Sequence, residues 1–156
     1  MPPCRPVLAL VAGLLLTAGA HAAEPPARVC RRVGMDDTLR PIPASLVPAA
    51  RRAFELNAPD SVVRHTTVFR CMAGAVIICT AGANLPCGKA NPARSLAAAG
   101  RYCAMNPDAP FIPMVVTGHD TIYRWRCSGT EALAGEPAEP LDARGFLARL
   151  WKPAEG

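Results

Sequence analysis

Apolar and polar residues follow three successive patterns along the chain. The first is an uninterrupted apolar run from Val7 to Leu16, preceded by the single charge of Arg5 and followed by Thr17-Ala18-Gly19-Ala20-His21-Ala22-Ala23. A short basic start, an apolar centre and small residues two positions apart form the layout of a cleavable secretion signal. Ala20 and Ala22 sit where a signal peptidase reads, and Glu24-Pro25-Pro26 behind them disfavours helix, so residues 1–22 are expected to be removed. The run is about ten residues long, too short for a helix to cross a hydrocarbon layer of about 30 Å, and no later stretch reaches spanning length. A lipid anchor is not expected, because Cys4 lies before the run and Cys30 well beyond it.

Residues 23–43 are rich in Pro, Arg and Asp without a sustained period, which predicts an extended leader that Cys30 can pin to the core. Periodic structure is expected over 44–153, as a single domain. Ser45 can cap a helix in which Leu46, Ala50, Ala53 and Phe54 share a face, ended by Asn57-Ala58-Pro59. From Val62 the period becomes two. Val63, His65, Thr67, Phe69 and Cys71 then point one way, with Arg64, Thr66, Val68 and Arg70 the other. A turn at Met72-Ala73-Gly74 leads into Ala75 to Thr80, whose Val76-Ile77-Ile78-Cys79 core is apolar on both faces and so predicts a central, covered strand.

A loop over 81–92 precedes a helix expected from Asn91-Pro92 to Met105, with Leu96, Ala99 and Cys103 inward. Phe111 to Val116 and Thr121 to Cys127 flank Thr117-Gly118-His119-Asp120 as a second hairpin, with Pro113 marking an edge or bulge. Thr130 to Ala134 is a candidate fifth strand. A closing helix is expected from an Asp142 cap through Phe146, Leu147, Leu150 and Trp151. The pattern therefore predicts an α+β domain, with an antiparallel sheet of four to five strands in two hairpins and about three short helices.

Cysteine content changes this picture by adding covalent staples. Once Cys4 leaves with the signal, Cys30, Cys71, Cys79, Cys87, Cys103 and Cys127 remain, an even set in a short exported chain. Three disulfides are expected. Six cysteines allow 15 connectivities, of which loop geometry favours a Cys87 to Cys103 link as the first pair. A metal site is not expected, since C-x-x-C and H-x(3–5)-H spacings are absent and only His65 and His119 could assist, and no motif calls for a cofactor.

The 156 residues carry 17 Lys and Arg against 12 Asp and Glu, a mild basic excess that is almost entirely Arg. It favours an acidic envelope protein or an anionic envelope polymer as partner. Nucleic acid is not an expected partner, because the charges form no run.

Three places could carry chemistry. Arg64, Arg70, Arg124 and Arg126 would share one sheet face if their strands were neighbours, and guanidinium forks suit carboxylate or phosphate oxygens; an ordinary solvated face is the alternative. The loop Gly82 to Pro92, stiffened by Cys87 and its prolines, could present Lys89 to an acidic cleft, or simply cross between a strand and a helix. It is not a phosphate-binding P-loop, because its glycines are spaced differently and Ala90 stands where Ser or Thr is required. His119 and Asp120 form the third candidate, a proton carrier beside a carboxylate, though Asp120 is equally a turn residue.

The association of aromatic, Arg and Cys residues near a glycine turn is similar to that in small periplasmic lysozyme-inhibitor domains, whose full pattern is absent here. The leading expectation is a periplasmic or secreted, non-enzymatic binding or inhibitor-like module of the cell envelope. A small secreted hydrolase acting through His119 and a structural accessory subunit are the alternatives.

Overall fold

A tight hairpin organises the molecule. In the computed structural model, which describes residues 24–82 and 84–154, Thr67–Met72 (β2) and Ala75–Thr80 (β3) pair antiparallel in unbroken register from Thr67 opposite Thr80 to Met72 opposite Ala75. The secretion signal expected at 1–22 lies outside the described residues. The hairpin turns in two residues because Ala73 and Gly74 both take positive φ, 52° and 79°, the geometry that matches the twist of the flanking strands.

Asp36–Pro41 (β1) adds to β2 and Lys152–Pro153 (β6) to β3, giving a sheet in the order β1-β2-β3-β6 with every pair antiparallel. Tyr123–Ser128 (β4) and Glu131–Pro137 (β5) form a second, two-stranded antiparallel sheet. Among the described residues five α-helices complete the architecture: Pro26–Val33 (α1), Val47–Phe54 (α2), Asp60–Thr66 (α3), Ala97–Met105 (α4) and the single turn Met114–Thr117 (α5). The result is the α+β class that the residue pattern predicts.

The pleat of β2 and β3 assigns their side chains to two layers. Phe69, Cys71, Val76 and Ile78 face one way and pack with Cys30, Ile42, Val47, Ala50 and Val63 beneath α1, α2 and α3. Val68, Ile77 and Cys79 face the other way and are covered by Phe146, Leu147, Leu150 and Trp151. The β3 strand is thus central and closed on both faces, as its unbroken apolar run predicts. A third cluster joins Ala99 and Cys103 of α4 to Trp125 and Cys127 of β4, with Ile112 beside them.

Three disulfides staple these layers: Cys30–Cys71, Cys79–Cys87 and Cys103–Cys127. The expected Cys87 to Cys103 link is therefore incorrect. Cys79 and Cys87 close the loop that leaves β3, eight positions apart, while Cys103 points from α4 into the β4 layer. A pairing chosen for loop closure alone misses that β3 carries Cys79 to the face the loop folds onto.

Several elements differ from the sequence pattern, each for a local reason. The 23–43 segment is not an extended leader from Pro26 onward: it forms α1 and the edge strand β1, tied to β2 by Cys30–Cys71. The strand expected from Val62 begins only at Thr67, because residues after Pro59 start a new helix, α3, with Asp60 in its first turn and the Thr66 hydroxyl bonded to the Val62 carbonyl. β4 forms no ladder with Phe111–Val116, whose backbone reaches it only through the Ile112 N–H on the Trp125 carbonyl. Pro113 instead precedes the helical turn α5, and β4 pairs with β5, the candidate fifth strand. Asp142 does cap backbone N–H groups, those of Arg144 and Phe146, but Gly145 at φ 83° turns the chain out of helix. Only the 3-10 turn Ala148–Leu150 remains of the closing helix.

Candidate functional site

The four arginines expected on one sheet face do not come together. Arg64 lies on α3, exposed, and Arg70 lies on β2, whereas Arg124 and Arg126 belong to β4 in the other sheet. The alternation holds within β2, where Arg70 faces away from Phe69 and Cys71, but not before Thr67, where Arg64 is helical. That side of β2 is not solvated, however, because the segment containing Phe146 and Trp151 lies over it.

Arg70 is fully buried. Its guanidinium carbon sits 4.0 Å from the Phe146 ring centroid and 4.4 Å from that of Trp151, and Nη2 donates to Asp142 Oδ2. Nε and Nη1 find no hydrogen-bond acceptor among the described residues, and the cation is stabilised instead by lying over the two aromatic rings. Asp142 Oδ1 accepts from Arg144 N at 2.8 Å and Phe146 N at 3.1 Å, which fixes its carboxylate for the ion pair. This arrangement is a clamp between β2 and the 142–151 segment, with no surface left to meet a ligand.

Lys89 is exposed, but its loop is tied down more fully than the sequence indicates. Besides the Cys79–Cys87 bond, the backbone of Lys89 bridges to Phe146, and Ala90 N donates to Gly145 O at 2.9 Å. The Lys89 ammonium reaches Asp37 at 2.9 Å, where Arg144 also binds through Nε and Nη2, each at 2.9 Å. Hydrogen bonds from Arg144 and then Lys89 hold the Asp37 carboxyl well below the usual carboxylate range. Asp37 and Arg144, which the sequence pattern does not single out, thus join β1, the 82–92 loop and the 142–151 segment. Only their charges signal this role, because the three segments are far apart in sequence.

His119 and Asp120 occupy the turn before β4, both half-buried. Gly118 stands at φ 91°, and a side chain there would collide with the Asp120 carboxylate, so the turn requires glycine. The Asp120 carbonyl accepts the Asn91 N–H at 2.8 Å. No group of His, Cys, Asp or Glu side chains suited to a metal ion occurs among the described residues. His65, expected toward the core, is exposed on α3.

Arg124 and Arg126 remain as the predicted pair that stands free in the structure. β4 alternates between buried Trp125 and Cys127 and exposed Arg124, Arg126 and Ser128. Trp125 is held from below by its indole N–H donating to Thr121 Oγ1 at 3.0 Å, and Cys127 by its bond to Cys103. The two guanidinium groups are therefore carried one pleat apart on a strand with fixed inward anchors. Neither makes an ion pair among the described residues. The arrangement can receive carboxylate or phosphate oxygens, for which a pair of Arg forks is well shaped.

Fold and surface together define a small disulfide-stapled α+β protein with an open arginine-bearing strand face. No family model, curated protein or solved structure matches the chain. Its three disulfides are of the kind that form and persist in oxidising surroundings, and no helix among the described residues is long and apolar enough to cross a membrane.

Proposed function

We propose that the protein is an exported, non-enzymatic binding module of the cell envelope, periplasmic or secreted, which engages acidic groups of its partner through the outward face of β4. The observation that carries this reading is the exposed, unpaired Arg124 and Arg126 on a strand whose other side is locked by Trp125 and Cys127. The strand is held from beneath by Trp125 and Cys127, so binding has to order only the two arginine side chains and not the backbone that carries them. The sequence pattern of residues 1–22 and the three disulfides support export. Lys89, committed to Asp37, is a lesser contributor to the contact.

Retention of a partner from envelope extracts on the immobilised, disulfide-bonded protein tests this reading. The double substitution Arg124→Ala/Arg126→Ala is expected to abolish retention while leaving the thermal midpoint unchanged, since both side chains are exposed. Retention at wild-type strength by that variant would refute the assignment.

A further inference from the structure

Some of the most exposed apolar side chains are concentrated in one short stretch. Met105 is 75% exposed, Phe111 64%, Met114 48% and Val115 85%. They occupy the end of α4, the segment whose backbone bonds to β4 through Ile112 N and Ala109 O, and α5, which packs against α4. Single exposed apolar residues are ordinary, but several neighbouring ones mark a contact surface.

Two features say what kind of surface they suit. Side chains exposed to this degree project from the body of the protein, and the grooves of about 330, 430 and 450 Å³ have other residues as their walls. A rigid protein partner would need a matching cavity for each projection, whereas the boundary between lipid headgroups and acyl chains accepts them in any arrangement. One unpaired cation stands beside them. Arg101 lies four positions before Met105 on the same outward side of α4, exposed and with no ion pair among the described residues. Asp108, the acidic residue within the stretch, is turned to the Gly129 N–H at 2.6 Å.

We infer that the α4–α5 corner is a peripheral membrane-docking surface: Met105, Phe111, Met114 and Val115 enter the interface of an anionic bilayer, and Arg101 meets lipid phosphates. The surface is separate from the β4 face and rests on the export reading only in bringing the protein to an envelope membrane. It involves no membrane-crossing helix, only insertion to headgroup depth.

Co-sedimentation with vesicles tests it. The purified, disulfide-bonded protein, with its mass confirming that the Val7 to Leu16 run is gone, is mixed with vesicles of phosphatidylglycerol and phosphatidylethanolamine, or of phosphatidylcholine alone. Wild-type protein is expected to partition onto the anionic vesicles. Phe111→Ser/Val115→Ser should weaken partition by about tenfold or more, equivalent to about 1.4 kcal/mol, with an unchanged thermal midpoint. Arg101→Gln should weaken it less and flatten its salt dependence.

Should the double variant fail to fold, Val115→Asn, at the most exposed of the four positions, carries the same test alone. Absence of wild-type partition at millimolar lipid overturns the inference. So does full partition by the serine variant, which would place the attraction on other arginines, or equal partition onto phosphatidylcholine. Lost vesicle binding alongside envelope retention that still requires Arg124 and Arg126 would overturn this surface and leave the β4 reading standing.

Discussion

Asp36 and Asp37 are adjacent carboxylates on β1 with different partners, and acid should separate them. Asp36 accepts from Arg40 and from the Thr38 N–H, which lower its pKa to about 2 from 3.8. Asp37, bound by Arg144 and Lys89, is held lower still. A carboxyl depressed in the folded state contributes stability that is present above its unfolded pKa and is lost as pH falls through the folded one. Asp36→Asn should therefore lower the thermal midpoint at pH 7 but cost little by about pH 2, whereas part of the Asp37→Asn penalty should survive there. Melting curves across that range check the order. Parallel loss of both penalties would show that the two aspartates share one environment.

Among the elements, the disulfides differ most in what they restrain. Cys30–Cys71 closes a separation of 41 residues and fastens α1 to β2, while Cys79–Cys87 closes only eight. Loop-closure entropy predicts a loss of about 4 kcal/mol on replacing the first pair with Ala and about 2.5 kcal/mol for the second. Denaturant unfolding of the two variants gives the comparison, and a costlier Cys79–Cys87 replacement would contradict it. The elements also show where sequence reading succeeds. The β2–β3 hairpin was legible because alternation, an apolar run and a left-handed turn all agree over Thr67 to Thr80. The α3 helix was not, because residues 62–66 continue the same alternation while their hydrogen bonds follow Pro59 and Asp60. The leader's structure was hidden for another reason: α1 and β1 depend on a disulfide and a strand edge supplied by distant residues.

For the whole molecule, the decisive relation is between β2 and the 142–151 segment. Pattern alone put Arg70 on the face opposite Phe69, which is correct, and exposed Arg124 and Arg126 were legible by the same rule. That Phe146 and Trp151 enclose Arg70 was not, since the ion pair spans 72 positions and no local period reports it. Arg70→Ala should remove about 3–5 kcal/mol of stability, because it strands the Asp142 carboxylate against an emptied space. A denaturant titration reads this directly, and a loss under about 1 kcal/mol would mean that the clamp is dispensable. The same enclosure dictates a timetable. A polypeptide synthesised from its amino end delivers the hairpin early, with one greasy side and a bare guanidinium awaiting residues made much later. During that interval the nascent protein offers a sticky, charged flank to any chaperone or protease in reach, and maturation finishes only when the late stretch arrives to shut it.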